Sequence, residues 1–276
     1  MTGAGKKAAG GAGEYKMEVQ LLEKDKETDK VNFILKDSTP AFANVLRRIM
    51  LWEVPVMAID EIEFKKNGSI LYDEMIAHRM GLVPLTTDLK SYTLPEKCKC
   101  EGKGCAHCQL KMSLKVKGPA MVYASDIKSK DPAVKPVYPK LPIVKLLKNQ
   151  TLELEATATL GTGKRHAKWS PGHVYYTYLP KITVHDNPEK LAQFGDKYPP
   201  QIFGKDGKID RNLISTPALI DACDGVCDDL VKVEYNPNSF VFYIEPWGQL
   251  PSKKIVQQAA NVLQEQLDEV TEALKQ

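Results

Sequence analysis

Between Thr39 and Leu85, two short helix-forming stretches with their own start and stop signals enclose one strand, so the chain must be built around this helix-strand-helix unit. Thr39 suits an N-cap and Pro40 the first helical position, where a missing N–H costs nothing. Phe42, Val45, Leu46 and Ile49 then recur on one face, which turns polar at Glu53, and Pro55 stops the helix. Arg47 and Arg48 stand beyond the edge of that face. Two readings are open for them: cations reaching into solvent, or anchors for a partner's carboxylates. Met57 to Phe64 follows as a broken strand alternation through Ile59, Ile62 and Phe64, and Asn67-Gly68 is a two-residue turn signal. Asp73 reads as the cap of a second helix, Glu74 to Met80, with Gly81 as a left-handed C-terminal residue and Pro84 preventing continuation.

A chain of 276 residues with 43% apolar and 26% charged side chains can bury a real core in one large or two modest domains. A net charge of +3 is too mild for a polybasic binder that holds phosphate by counterion release alone, so any contact with DNA is expected to be indirect. No apolar run approaches the ~18 residues that read as a membrane span, and the N-terminal residues lack a signal-peptide core. The expected location is cytoplasmic. Residues 1–15, mostly Gly and Ala with lysines, read as a disordered tail.

The sharpest chemical signal is Cys98-Lys-Cys100-Glu-Gly-Lys-Gly-Cys105-Ala-His-Cys108. Four thiols this close, with two glycines letting the loop fold back, can surround one tetrahedral zinc. Free surface thiols or two disulfides are the plainer alternatives, although disulfides are disfavoured in a reducing compartment. His107 lies inside the cluster and could replace one thiolate. Four thiolates would close the shell, which points to a structural metal rather than a catalytic one with an open position. A zinc deaminase would need a His-x-Glu string, which is absent, and a free zinc module on nucleic acid would need a basic face.

The remaining elements read as follows. Met17–Leu22 and Val31–Leu35 form a hairpin around the charged turn Glu23–Lys30, and Leu110 to Val116 alternate as a strand directly after the thiols. Four prolines make Asp131–Pro142 irregular, after which Pro142–Leu147 and Thr151–Leu160 are strands, the latter half-buried. Gly161 to Pro171 is a loop with Lys164, Arg165, Lys168 and an exposed Trp169. Its spacing is not that of a phosphate loop, and its Arg, Lys and Trp suit a protein interface, with Lys168 and Trp169 as anchors. His173–Val184 is an aromatic strand, and Asp186–Asp229 a polar insert whose Cys223 and Cys227 read as buried thiols or a disulfide. Val231–Tyr235 and Phe240–Glu245 read as a hairpin across Asn236–Ser239. From Pro251 and Ser252 a long helix carries Val256, Ala260, Leu263, Leu267, Val270 and Leu274 at spacings of four and three, widened above by Ile255, Ala259 and Val262. Its lower half projects beyond any sheet beneath it, and a leftover apolar seam favours a partner helix.

Phe42-Ala-Asn-Val-Leu-Arg-Arg-Ile-Met-Leu51 and Ala77-His-Arg-Met-Gly-Leu-Val-Pro-Leu85 resemble the two signature stretches of the alpha-like subunits of cellular RNA polymerases. The likeness is nearest to the archaeal members of that family, which also holds the third-largest subunit of eukaryotic RNA polymerase II and the N-terminal domain of the bacterial alpha subunit. The thiol knuckle, the His166-Ala-Lys-Trp169 string, the insert and the final helix follow in family order, from about Met17 to the end. The resemblance implies an α+β fold: a discontinuous dimerisation domain (16–55, 173–185 and 231–276), an inserted mixed β domain with the zinc knuckle (56–172), and a small ferredoxin-like insert (186–230). Two cysteines in that insert are too few for the iron–sulfur cluster some relatives carry, so no cluster is expected. The implied function is a non-catalytic assembly subunit of a DNA-directed RNA polymerase, a nucleotidyltransferase whose magnesium-holding carboxylates belong to a large subunit. The implied partners are a small L-type alpha-like subunit as heterodimer, the two large subunits and small zinc-containing subunits. By resemblance Arg47 and Arg48 become contacts to a large subunit.

Overall fold

In a computed structural model of the chain, residues 17–275 are described. The expected tail, residues 1–15, lies outside them. The elements in order are β1 (Glu18–Lys24), β2 (Val31–Lys36), α1 (Pro40–Trp52), β3 (Val56–Asn67), α2 (Asp73–Gly81), β4 (Gln109–Lys117), β5 (Ala120–Tyr123), β6 (Lys128–Ser129), β7 (Pro142–Leu146), β8 (Thr151–Gly161), β9 (Gly172–Val184), α3 (Pro188–Phe194), α4 (Pro217–Cys223), β10 (Val231–Pro246) and α5 (Ser252–Ala273). The class is α+β. One sheet runs β1-β2-β10-β9, a second β3-β8-β4-β6, and β5 pairs with β7. No helix among the described residues is long and apolar enough to cross a membrane.

The described chain gathers into two compact units. One comprises Leu21–Asn32, Asn44–Tyr175 and Phe242–Gln276, the other Phe33–Ala43 and Tyr176–Val241 with the described residues up to Gln20. In the first, β8 pairs antiparallel with β3 on one side and β4 on the other, its Leu154 opposite both Phe64 and Leu114. β4 alternates buried Leu110, Met112 and Leu114 with exposed neighbours, as its sequence requires, and Ile76 and Met80 of α2 join the same core. The second unit has its own small core around Tyr198, Ile202, Ile214 and Cys223. Its helices start as their sequences dictate: Asn187 accepts from Lys190 N–H (3.2 Å) ahead of Pro188, and Thr216 from Leu219 N–H (3.3 Å) ahead of Pro217.

Local expectations fared unevenly. Thr39 does cap α1, its Oγ1 accepting from Phe42 N–H at 3.2 Å. Asp73 does not cap α2: the N-cap is Tyr72, and Asp73 sits in the first turn, its carboxylate accepting from Asn67 Nδ2 at 2.7 Å. Gly81 is not left-handed but closes the helix, and the C-cap Leu82 keeps an ordinary φ of −88°. Asn67-Gly68 does mark the end of β3, where the chain bends toward α2, and Gly68 N–H donates to Thr151 O at 2.9 Å. The expected hairpin across Asn236–Ser239 is absent. β10 runs unbroken through Asn-Pro-Asn-Ser because its neighbours β2 and β9 hold it as an interior strand, and ladder bonds outweigh a local turn preference.

α5 begins on a borrowed cap. Asp29, at φ +54° in the β1–β2 turn, accepts from Ser252 N–H through Oδ2 at 2.7 Å, and its backbone carbonyl accepts from Ser252 Oγ. Partial burial works against its carboxylate, but the Ser252 bonds and the Lys24 ammonium, 3.0 Å away, hold its pKa below the usual value. A negative charge at a helix N-terminus also meets the positive end of the helix dipole. Asp29→Ala is expected to lower stability by about 1–2 kcal/mol at neutral pH, from the lost cap and the left-handed position. Because its folded pKa lies below the unfolded 3.8, the ionised-cap share is present above 3.8 and fades as pH falls through the lower folded value. Thermal unfolding of both forms across that window checks this; a difference that grows on acidification contradicts it.

Candidate metal centre and docking surface

The thiol loop reverses through three left-handed residues, Glu101 (φ +53°), Gly102 (+76°) and Gly104 (+88°). Turn bonds then stack the cysteines: Glu101 N–H donates to Cys98 O and Lys103 N–H to Cys100 O, both at 3.0 Å, and Cys108 N–H to Cys105 O at 3.1 Å. Cys105 N–H donates to Cys108 Sγ at 3.2 Å, the kind of bond that stabilises a thiolate. Sulfur separations are 3.5 Å for Cys98–Cys105, Cys98–Cys100 and Cys100–Cys108, and 3.8 Å for Cys105–Cys108. These distances are too long for disulfides and suit a shared ion. A disulfide needs about 2.05 Å, whereas four sulfurs at tetrahedral corners about 2.3 Å from one ion lie about 3.8 Å apart. All four cysteines are free, and their sulfurs fall within 4.8 Å of one another. The donor set fits a closed four-thiolate site. Bonds to the Cys98 and Cys108 sulfurs bring the Cys100 thiol down to about 6, while burial pushes Cys108 up to about 12. His107 is exposed and outside the sulfur set; its carbonyl accepts from Thr93 N–H at 2.9 Å.

The loop after β8 corrects one expectation. Trp169 is not exposed but 1% accessible, and its indole N–H donates to Thr159 O at 3.2 Å. Arg165 and Lys168 stack on its ring at 4.7 and 4.2 Å, and both reach Asp60, at 3.1 and 2.8 Å. Lys168 also donates to Ile59 O at 3.1 Å, so its charge is spent inside the fold. The two glycines serve packing, not phosphate. A Cβ on Gly161 would lie 2.5 Å from the Trp169 ring, and one on Gly163 2.2 Å from Leu51 O. Asp60, the hub of this lock, gave no signal in sequence because its partners lie more than a hundred residues away.

Arg47 is half-buried and bound to Asn44 Oδ1 by Nε (3.2 Å) and Nη2 (2.9 Å). Arg48 is exposed, its guanidinium 4.9 Å over the Trp52 ring. Around it Val45, Ile49, Trp52, Glu53 and, from α5, Gln266 line a shallow groove of about 160 Å³. Along α5, Ile255 and Ala259 are buried and Val256 and Leu263 half-buried, whereas Ala260, Leu267, Val270 and Leu274 are exposed. Sequence reasoning missed Trp52 and Val45 as surface residues, because periodicity assigns a face without saying what covers it.

Residues 61–173 match the family model described as the RNA polymerase Rpb3/RpoA insert domain, which places the chain among proteins built on that module. The chain is also 40% identical to DNA-directed RNA polymerase subunit Rpo3 of Thermococcus kodakarensis (91% of this chain, 95% of the relative). Against the same subunit from Methanosarcina acetivorans it is 37% identical (94% and 99%), and from Archaeoglobus fulgidus 35% (94% and 98%). The chain belongs to the family of Rpo3 subunits of DNA-directed RNA polymerase.

If the sulfurs hold zinc, the purified chain carries about one ion, and replacing Cys105 and Cys108 by Ser removes it, since two thiolates cannot close the shell. Elemental analysis decides: equal metal in both proteins would discard the four-thiolate assignment.

Proposed function

We propose that this chain is a non-catalytic assembly subunit of DNA-directed RNA polymerase. It forms a heterodimer with a small L-type alpha-like subunit, and the pair is a platform for the two large catalytic subunits and for small zinc-containing subunits. The observation that carries the reading is the uncovered seam of α5. Leu267, Val270 and Leu274 are 53%, 57% and 83% exposed on one helix, and Val45 and Trp52 of α1 are each 40% exposed in the groove that Gln266 of α5 also lines. An apolar row of this length on a helix is what a partner helix covers. In this reading the dimerisation domain is discontinuous, formed by residues 16–55, 173–185 and 231–276, and the seam residues Val256, Ala260, Leu263, Leu267, Val270 and Leu274 face the small subunit.

The metal site is structural in this account. Zinc held by Cys98, Cys100, Cys105 and Cys108 would pin the loop ahead of β4, and a closed thiolate shell leaves no position for substrate. Arg47 and Arg48 are contacts to a large subunit. Lys168 and Trp169 act by holding the loop in shape, while Lys164, Arg165 and His166 are exposed on it. DNA is met only through the assembled enzyme, in the cytoplasm.

Leu267→Asp together with Val270→Asp is expected to leave the fold intact, because both side chains already face water, and to abolish the heterodimer, since burying unpaired charge costs several kcal/mol. Co-expression and size-exclusion chromatography read this; a stoichiometric heterodimer from the double variant removes α5 from the interface. Arg47→Ala is expected to keep the heterodimer and weaken capture of a large subunit in a pull-down. Undiminished capture would return Arg47 to a purely local role beside Asn44.

A further inference from the structure

Asn67-Gly68 is the one Asn-Gly step in the chain. Such a step is prone to spontaneous deamidation, because glycine has no side chain to keep its backbone nitrogen away from the amide carbon before it. In that reaction the Gly68 nitrogen attacks Asn67 Cγ and gives up its proton, the Cγ–Nδ2 bond breaks, and ammonia leaves. Water then opens the cyclic imide at one of its two carbonyls, which puts aspartate or isoaspartate at position 67.

The fold occupies both reacting groups. Gly68 N–H donates to Thr151 O at 2.9 Å, directly beyond the β3–β8 pair in which Asn67 faces Leu152. The backbones are close there: a Cβ on Gly68 would lie 3.3 Å from Thr151 N. The Asn67 amide is held at both ends. Its Nδ2 donates to Leu71 O at 2.9 Å and to Asp73 Oδ1 at 2.7 Å. Its Oδ1 accepts from Ser69 N–H at 3.0 Å and from Ser69 Oγ at 2.7 Å. The Ser69 bonds alone would polarise the amide toward attack, so the restraint lies in the engaged Gly68 nitrogen and in the two bonds from Nδ2. Turning Cγ onto Gly68 means giving these up together.

The same bonds tie the end of β3 to the start of α2. Asp73 is the first residue of that helix, and Ile76 and Met80 behind it are buried in the core. Deamidation removes the only donor in this tie. An acceptor oxygen then replaces Nδ2 opposite Leu71 O and Asp73 Oδ1, and two carboxylates meet where a charge-assisted hydrogen bond stood. We propose that Asn67 is a deamidation site held shut by the native fold, and that its conversion during local opening leaves α2 permanently untied from the end of β3. The site is separate from α5 and from the thiols, so it stands or falls independently of the assembly reading.

The full chain, aged in mildly alkaline buffer either folded or in urea, tests this by peptide mass spectrometry of the fragment that contains Asn67. Conversion is expected to be at least about tenfold slower in the folded chain, which must open locally before it reacts. Asp73→Ala, on an exposed first turn, is expected to raise the folded-state rate severalfold by freeing Nδ2. Equal rates in the two conditions, or a folded rate that Asp73→Ala leaves unchanged, would overturn the proposal. A faster rate in the folded chain would also overturn it, by making the Ser69 bonds promoters of attack. Asn67→Asp is expected to lower the thermal midpoint, and Asn67→Asp combined with Asp73→Asn to restore it, since the exchange puts a donor amide and an acceptor carboxylate back in contact. An unshifted midpoint in the single variant, or no recovery in the double, would refute the tie to α2. If Asn67→Asp fails to fold, the two ageing rates of the unsubstituted chain still decide whether the fold holds the site shut, and recovery of folding in the double variant decides the tie.

Discussion

An apolar row on a helix is unfavourable in water, and α5 carries one that its own fold covers only halfway. Full burial of a Leu or Val side chain is worth about 1.5–3 kcal/mol, so Leu267, Val270 and Leu274 together represent a driving force that the isolated chain leaves unused. The upper half of the same helix shows the contrast: Ile255 and Ala259 are fully buried, and Asp29 fixes the first turn through Ser252. One end of the helix is thus anchored and the other is presented. That asymmetry is what the proposed assembly role would use, a rigid fold that ends in an uncovered apolar surface.

Rigidity comes from devices that spend polar groups internally. Asp60 gathers Arg165 and Lys168, which both pack on the Trp169 ring, and Gly161 and Gly163 allow the ring and the end of α1 to close on the loop. Lys164 N–H adds a bond to Trp52 O at 3.0 Å, tying this lock to the last turn of α1 where Arg48 rests on Trp52. The thiol loop does similar work ahead of β4, and Lys97 beside it lies 3.3 Å from Glu265 on α5. That exposed pair adds little energy by itself. A change in either loop is nonetheless positioned to be felt near the presented helix face.

Much of this was legible in sequence wherever one local rule decided the outcome. The alternation of Leu110, Met112 and Leu114, the cap at Thr39 and the spacing of the four cysteines each needed only near neighbours. Readings failed where distant partners won. Asn236–Ser239 has turn composition, yet β2 and β9 hold it extended. Trp169 followed the same course. A Trp among Lys and Arg reads as a surface anchor, and only the fold shows that those cations close over its ring because Asp60 sits beneath them. The α5 seam was visible as a pattern, but how far the fold covers it depended on where the sheet ends.

Membership in the Rpo3 family and the half-covered helix support the same account: the chain is completed by a neighbour that lies along the lower part of α5. Amide hydrogen exchange across residues 263–274, measured for the chain alone and for the co-purified heterodimer, tests it most directly. The account predicts fast exchange in the isolated chain and strong protection in the heterodimer, confined to this half of the helix and the facing residues of α1. Equal protection in both states, from a chain that stays monomeric, would contradict it.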